Sequence, residues 1–122
     1  MSAPIIIFTY NRIRNLKKLI LSISKNSESN NSKIYIFLDG PKTQKDKLKT
    51  DEIFIYLKNI KIFRSVKIFY RKKNLGSAKN ILQGINYVSN RESKFIVLEE
   101  DLIISSEFLY FCNKMLNFYK NK

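Results

Sequence analysis

The sequence predicts an α/β domain built in three layers, with a mostly parallel sheet between helices. Four short apolar runs alternate with four segments of helical periodicity. The runs are continuous rather than alternating, which is the pattern of strands buried on both faces. A third observation concerns function: each run is followed by a polar cluster. In open parallel sheets, ligands bind beyond the carboxyl ends of the strands, so these clusters should converge on one edge.

The elements follow in order. Pro4 to Phe8 reads as a short buried strand. From Arg12 to Lys25, Ile13, Leu16, Ile20 and Ile23 recur at helical spacing, and Ser24 to Ser32 reads as a polar loop. Ile34 to Leu38 is the second strand, stopped by Asp39-Gly40-Pro41. Lys42 to Lys49 reads as a charged, flexible connector. Thr50 then caps a helix with Asp51 and Glu52 in its first turn and Ile53, Tyr56, Leu57 and Ile60 as its stripe. Val66 to Tyr70 is the third strand. Asn74-Leu75-Gly76-Ser77 opens a helix with the stripe Ala78, Ile81, Leu82, Ile85 and Val88. Phe95 to Leu98 is the fourth strand, and Phe108, Leu109, Phe111, Met115 and Leu116 belong to a strongly apolar last helix.

The chain has 122 residues, enough for one domain around one core. Its single cysteine excludes an internal disulfide framework and fits a reducing compartment. Cys112 sits in an apolar helical pattern and reads as core. No apolar run approaches the ~20 residues of a membrane-spanning helix, and Ile5 to Phe8 is too short for a signal-peptide core. The expected location is the cytoplasm, with peripheral attachment at the inner membrane face as its variant. The absence of histidine removes the commonest general base and metal ligand, leaving carboxylates, lysines, arginines and amides. The formal net charge of +13 invites a polyanion, but the lysines are scattered, and no nucleic-acid partner is expected.

The strand-end clusters are Thr9-Tyr10-Asn11-Arg12, Asp39-Gly40, Arg71 to Asn74, and Glu99-Glu100-Asp101. Three adjacent carboxylates stand out in so basic a chain. Strand alternation puts Glu99 and Asp101 on one face and Glu100 on the other. A carboxylate pair there suits a hard divalent cation and, through it, a diphosphate. The same acids also suit a solvated turn feeding a helix near Ser105, and the two readings weigh equally. Asn11 reads as a helix cap compatible with a ligand in the same turn. Asn74-x-Gly76 before a helix offers free amides to a phosphate, with Arg71, Lys72, Lys73 and Lys79 around it. The spacing matches neither a Walker A loop nor the Gly-x-Gly-x-x-Gly fingerprint.

These motifs together resemble the nucleotide-sugar-binding half of GT-A-fold glycosyltransferases. Pro4 to Arg12 resembles the opening strand and turn of the family 2 enzymes. Asn74-Leu75-Gly76-Ser77-Ala78-Lys79-Asn80, followed by Gly84-Ile85, is similar to their Asn-x-Gly-x-x-x-Ala-Arg-Asn-x-Gly-Ile segment. It is one residue shorter, with Lys79 where arginine is usual. Val97 to Leu102 with Ser106 to Phe111 resembles the Glu-Asp-Asp region of N-acetylglucosaminyltransferase I. The resemblance implies a Rossmann-like nucleotide-diphospho-sugar transferase half-fold and a metal-dependent transferase, with Mn2+ or Mg2+ as cofactor. Its implied partners are a nucleoside-diphosphate sugar, UDP-sugar favoured, and a glycan acceptor of bacterial surface glycan synthesis.

Residue by residue, the resemblance implies that Asp101 ligates the metal. Glu99 lies near the ribose or the donor sugar, and Asp39 near the base. Thr9 and Arg12 lie in the turn that brackets the nucleotide, and Lys79 lies near the pyrophosphate. Tyr10, Asn11, Asn74 and Glu100 complete the expected nucleotide-sugar contacts. Glu99 replaces the usual aspartate and Glu100 fills the middle position, so the division of metal and ribose contacts stays open. No catalytic base is assigned. Residues 1–122 are expected to be one donor-binding domain, truncated before the acceptor-binding half. They should bind donor, transfer no sugar, and self-associate through the last helix. The competing readings are a nucleotidyltransferase, which wants a glycine-rich basic loop after the first strand, and a noncatalytic module for anionic partners.

Overall fold

The computed structural model describes residues 2–102 and 104–120; Lys122, on which the expectation of truncation bears, lies outside them. The strands are β1 (Ile5–Thr9), β2 (Lys33–Leu38), β3 (Ser65–Tyr70) and β4 (Ile96–Glu99). The helices are α1 (Ile13–Ser24), α2 (Gln44–Lys58), α3 (Ser77–Ser89) and α4 (Phe108–Tyr119), with a 3-10 turn at Ser29–Asn31. Every strand pair is parallel, in the order β3-β2-β1-β4. The α/β class and the parallel sheet expected from the sequence are both present.

Both faces of the sheet carry apolar side chains, which is why the strands read as unbroken runs. Ile5, Ile7, Ile34, Ile36, Ile96 and Leu98 point to one core, closed by Leu16, Leu19, Ile20 and Ile23 of α1, Ile53 and Leu57 of α2, and Leu109 of α4. Ile6, Phe8, Tyr35 and Phe37 point to the other, closed by Val88, Ile81 and Ile85 of α3. That second core is aromatic. Phe37 stacks on Phe69 at a centroid distance of 4.7 Å and on Phe8 at 5.6 Å. Gly84 lets α3 approach this layer, since a Cβ there would lie 2.6 Å from the Phe8 ring. Cys112 is half-buried beside the first core, and burial raises its thiol pKa.

Two details differ from the expectation. Residues 44–49 are not a flexible connector, because α2 begins at Gln44 and its cap is Thr43. The Thr43 hydroxyl accepts from the Asp46 backbone N–H at 3.1 Å, and Asp46 places a carboxylate in the first turn. Thr50 lies inside the helix, fully buried, with its hydroxyl 2.6 Å from that of Tyr70 on β3. The charge run hid a helix whose inner face is supplied mostly by later residues. In α3, Leu82 is 70% exposed and Ala78 is also outside. The buried line runs instead through Asn80, Gly84 and Val88, at successive spacings of four.

The corrected cap is testable. Thr43→Ala should cost about 1 kcal/mol of stability in urea unfolding, as loss of a side-chain cap does. An unchanged midpoint would show that α2 does not depend on Thr43.

Candidate functional site

The strand order fixes where a site can form. β1 lies between β2 and β4, so the chain turns one way from β1 through β2 to β3 and returns across β1 to β4. Such a reversal leaves a crevice beyond the carboxyl ends of the two strands where it happens. A cavity of about 480 Å³ lies there. Its lining includes Thr9, Tyr10, Asn11, Arg12, Asp39, Asn74, Glu99, Glu100 and Asp101. Nine of the ten residues named from the sequence therefore meet in one place. Lys79 is exposed on α3 and lies outside the lining.

Asp39 organises one wall. It is 4% exposed, at the end of β2. Its Oδ1 accepts from the backbone N–H groups of Gly40 and Leu75, both at 2.8 Å. Its Oδ2 accepts from the Gly76 N–H at 3.1 Å and from Asn74 Nδ2 at 3.4 Å. Asn74 Nδ2 also donates to the Gly40 carbonyl at 2.8 Å. These donors occupy the carboxylate, so Asp39 holds the 74–76 loop against β2. Gly40 permits the approach, because a Cβ there would sit 2.4 Å from the Lys73 carbonyl carbon. Gly76 caps α3 with φ 85°, a left-handed conformation that favours glycine. No side chain caps α3, so its first N–H groups are left for solvent or a ligand beside the cavity.

Beneath this loop lies a residue the sequence reading did not single out as a contact. Asn80 is 3% exposed and lines the cavity. Its Nδ2 donates to the Phe37 carbonyl at 3.2 Å, and its Oδ1 accepts from Arg71 Nε at 3.2 Å. Its place on the buried line of α3 was the available signal, a polar residue at a core-facing position. The Arg71 guanidinium also lies 5.1 Å from the centre of the Phe37 ring. Burial lowers its pKa, and the Asp39 charge opposes that. Arg71 is thus committed to the wall and is absent from the lining.

The opposite wall is acidic. The Leu102 N–H donates to the Glu99 carbonyl at 3.1 Å, closing a turn with Glu100 and Asp101 at its centre. The strand ends at Glu99, so alternation does not extend to the two residues after it. Glu100 is the acid that folds back onto β1, accepting from Thr9 Oγ1 at 2.5 Å and from the Tyr10 N–H at 3.0 Å. Glu99 and Asp101 are exposed and line the cavity without a hydrogen bond to any described side chain. Burial raises the Glu100 pKa, while the Thr9 hydrogen bond and the Arg12 charge work against the rise.

Asn11 does not cap α1, whose N-terminus has no side-chain cap. Its Nδ2 donates instead to Asp46 Oδ1 at 2.9 Å, tying the β1–α1 turn to the first turn of α2. Arg12 follows, exposed at the cavity rim. Among the described residues, no three acids or cysteines form a ready-made metal centre.

An open parallel sheet with a polar crevice at its reversal point places the molecule among the α/β domains that take ligands at strand ends. The chain belongs to glycosyl transferase family 2, whose family model matches residues 5–120. No curated protein sequence matches it. Among solved structures, S. aureus TarS superposes with a TM-score of 0.72 at 17% identity, covering 98% of this chain and 20% of that one. S. aureus TarS 1-349 in complex with UDP-GlcNAc gives 0.72 and 17%, covering 98% and 32%. S. aureus TarS 1-349 in a further crystal structure gives 0.70 and 17%, covering 98% and 33%. These likenesses show the GT-A fold, and the chain spans between a fifth and a third of the length of those structures.

The Glu100 shift has a definite sign. Its folded pKa is raised, so the stability tied to this proton is complete below the unfolded carboxyl range. It is lost as pH rises through the folded value. Across about pH 4 to 7, Glu100→Gln should therefore lose less stability than the parent in urea titrations. Parallel pH profiles for the two proteins would refute the shift.

Proposed function

We propose that this domain binds the nucleoside diphosphate of a sugar donor, with UDP-sugars favoured, and serves as the donor half of a glycosyltransferase acting on a glycan acceptor. One observation carries the reading. Four sequence-distant strand ends meet at the reversal-point cavity, where two carboxylates without a hydrogen bond to any described side chain lie near the Arg12 charge. Family membership favours transfer of a sugar over transfer of a nucleotidyl group. A relative of the same fold is described in complex with UDP-GlcNAc.

The residues divide into those that build the cavity and those free to meet a ligand. Asp39, Asn74 and Asn80 hold the walls, so their part in binding is positioning. Thr9 and the Tyr10 N–H are engaged with Glu100, which aligns the acidic turn against β1. Arg12 at the rim, whose charge also acts on Glu100, can form charge-assisted hydrogen bonds to phosphate oxygens. The uncapped start of α3 adds backbone donors of the same preference.

Glu99 and Asp101 fit a hard divalent cation, magnesium or manganese, because they offer only oxygen donors. Two carboxylates make an incomplete shell, so the site suits a metal that the diphosphate helps to hold. When bound, such an ion neutralises the charge of the nucleoside-diphosphate leaving group. Asp101 is proposed as its ligand and Glu99 as the residue toward ribose or sugar. Glu100, spent on β1, aligns the pair. Lys79 reaches a pyrophosphate only from outside the lining.

Calorimetry against a panel of nucleoside-diphosphate sugars, with and without manganese, tests the reading. Binding should be tightest for UDP-sugars and should strengthen with the metal. Asp101→Asn should abolish the metal's contribution, and Arg12→Ala should weaken binding by about 1.5–3 kcal/mol. No binding of any nucleotide sugar in manganese would sink the proposal.

Self-association through α4 is part of the same proposal. Tyr110, Phe111, Phe118 and Tyr119 are each more than half exposed, so the helix is apolar outside as well as inside. Phe111→Ser should shift a concentration-dependent sedimentation profile toward monomer. A parent that sediments as monomer at all concentrations would remove this part.

A further inference from the structure

The outer surface of α1 and α2 carries a pattern that donor binding does not use. α1 buries Leu16, Leu19, Ile20 and Ile23 and turns Arg14, Lys17 and Lys18 outward. Leu21, on the same outer side, is 57% exposed, and the helix contains no acidic residue. α2 packs beside it on the same core. Its outward line holds Lys45, Leu48, Glu52 and Ile55, with Leu48 75% and Ile55 61% exposed, two turns apart. Ile62, in the loop after α2, is 46% exposed next to Lys61.

The cations of this surface are available. Arg14, Lys18, Lys45 and Lys49 form no ion pair with any described residue, whereas Lys47 is spent on Asp51 at 2.8 Å. Lys17 and Lys58 lie over the Tyr56 and Phe54 rings at 5.3 and 5.1 Å. Lys17 thus reaches across from α1 to α2 and Lys58 lies back along α2, both at exposed positions.

We propose that this α1–α2 face docks the protein sideways on an anionic lipid bilayer. A single exposed leucine needs no explanation. Several protruding aliphatic side chains among unpaired cations on adjacent helices match the two layers of a membrane surface. The aliphatic groups enter the boundary between headgroups and acyl chains, and the cations meet lipid phosphates. A soluble polyanion would use the cations and leave the aliphatic groups in water. α1 begins at the cavity rim, so this docking holds the cavity mouth beside the bilayer. The inference stands independently of which donor the cavity takes.

Vesicle co-sedimentation of the full chain tests it. Phosphatidylcholine vesicles are compared with phosphatidylcholine–phosphatidylglycerol vesicles, and polyadenylate RNA serves as the soluble polyanion. Circular dichroism melts confirm that each variant is folded, and donor binding is measured separately. The parent should bind only the mixed vesicles, and added salt should release it. The Leu48→Ser/Ile55→Ser pair and the Lys17→Glu/Lys18→Glu pair should each weaken that binding about tenfold. Absence of binding to mixed vesicles, or equal binding to neutral ones, would overturn the proposal. So would full retention by the Leu48→Ser/Ile55→Ser protein, or equally tight binding to polyadenylate.

Discussion

The carboxylate of Asp39 is the contact on which the architecture of the site rests. A buried acid is costly unless its oxygens find donors, and Asp39 finds them in the backbone of Gly40, Leu75 and Gly76 and the side chain of Asn74. Those donors lie on a loop that joins β3 to α3. One side chain at the end of β2 therefore sets the height of that loop, the left-handed turn at Gly76 and the direction in which α3 starts. α3 in turn is the helix that closes the aromatic core. Without this anchor the loop would lose its reference to the sheet, and the free amides at the start of α3 would point nowhere in particular.

The acidic wall uses the same device in a weaker form. Glu100 reaches back to Thr9 and Tyr10 and so joins the last strand's turn to the first strand's end. Its neighbours are then held at the rim without being used up. The arrangement separates roles among chemically similar groups. Asp39 spends both its oxygens on the protein and Glu100 its Oε2, while Glu99 and Asp101 keep theirs. Asn80 and Arg71 beneath the loop are likewise spent on the protein, Arg71 on Asn80 and Asn80 on the Phe37 carbonyl.

Much of the fold was legible because apolar continuity and helical spacing report burial directly. Phe8, Phe37 and Val88 fall where those patterns put them, and the strand ends collect the polar clusters as parallel topology requires. The start of α2 was missed because Thr43 to Lys49 reads as solvated charge, and periodicity sees only an inner face. The capping signal was Thr43 with Asp46 three residues on, which is local chemistry rather than pattern. Within the site, the positions of the acids were legible, but strand alternation is not what sets the orientation of Glu100 and Asp101. Strand alternation assigns faces only while a strand lasts, and here it stops at Glu99, one residue before the assignment mattered. That Asp39 would be consumed by backbone donors depends on a loop 36 and 37 residues away in the chain, which no local window contains.

β1 is paired along its length with β2 and, over Ile5 to Phe8, with β4 as well. Its side chains from Ile5 to Thr9 are all buried. Amide protons of such a strand exchange with solvent only when the whole cooperative unit opens. The Thr9–Tyr10 side of the cavity is thus attached to the slowest-opening part of the molecule. The Glu99–Leu102 turn is different: it leaves a four-residue strand at the sheet's margin and is moored by a few hydrogen bonds. The cavity therefore has one wall built on a strand paired on both sides and one held by the Thr9, Tyr10 and Leu102 hydrogen bonds of an edge-strand turn. A ligand entering there meets a rigid anvil and an adjustable jaw.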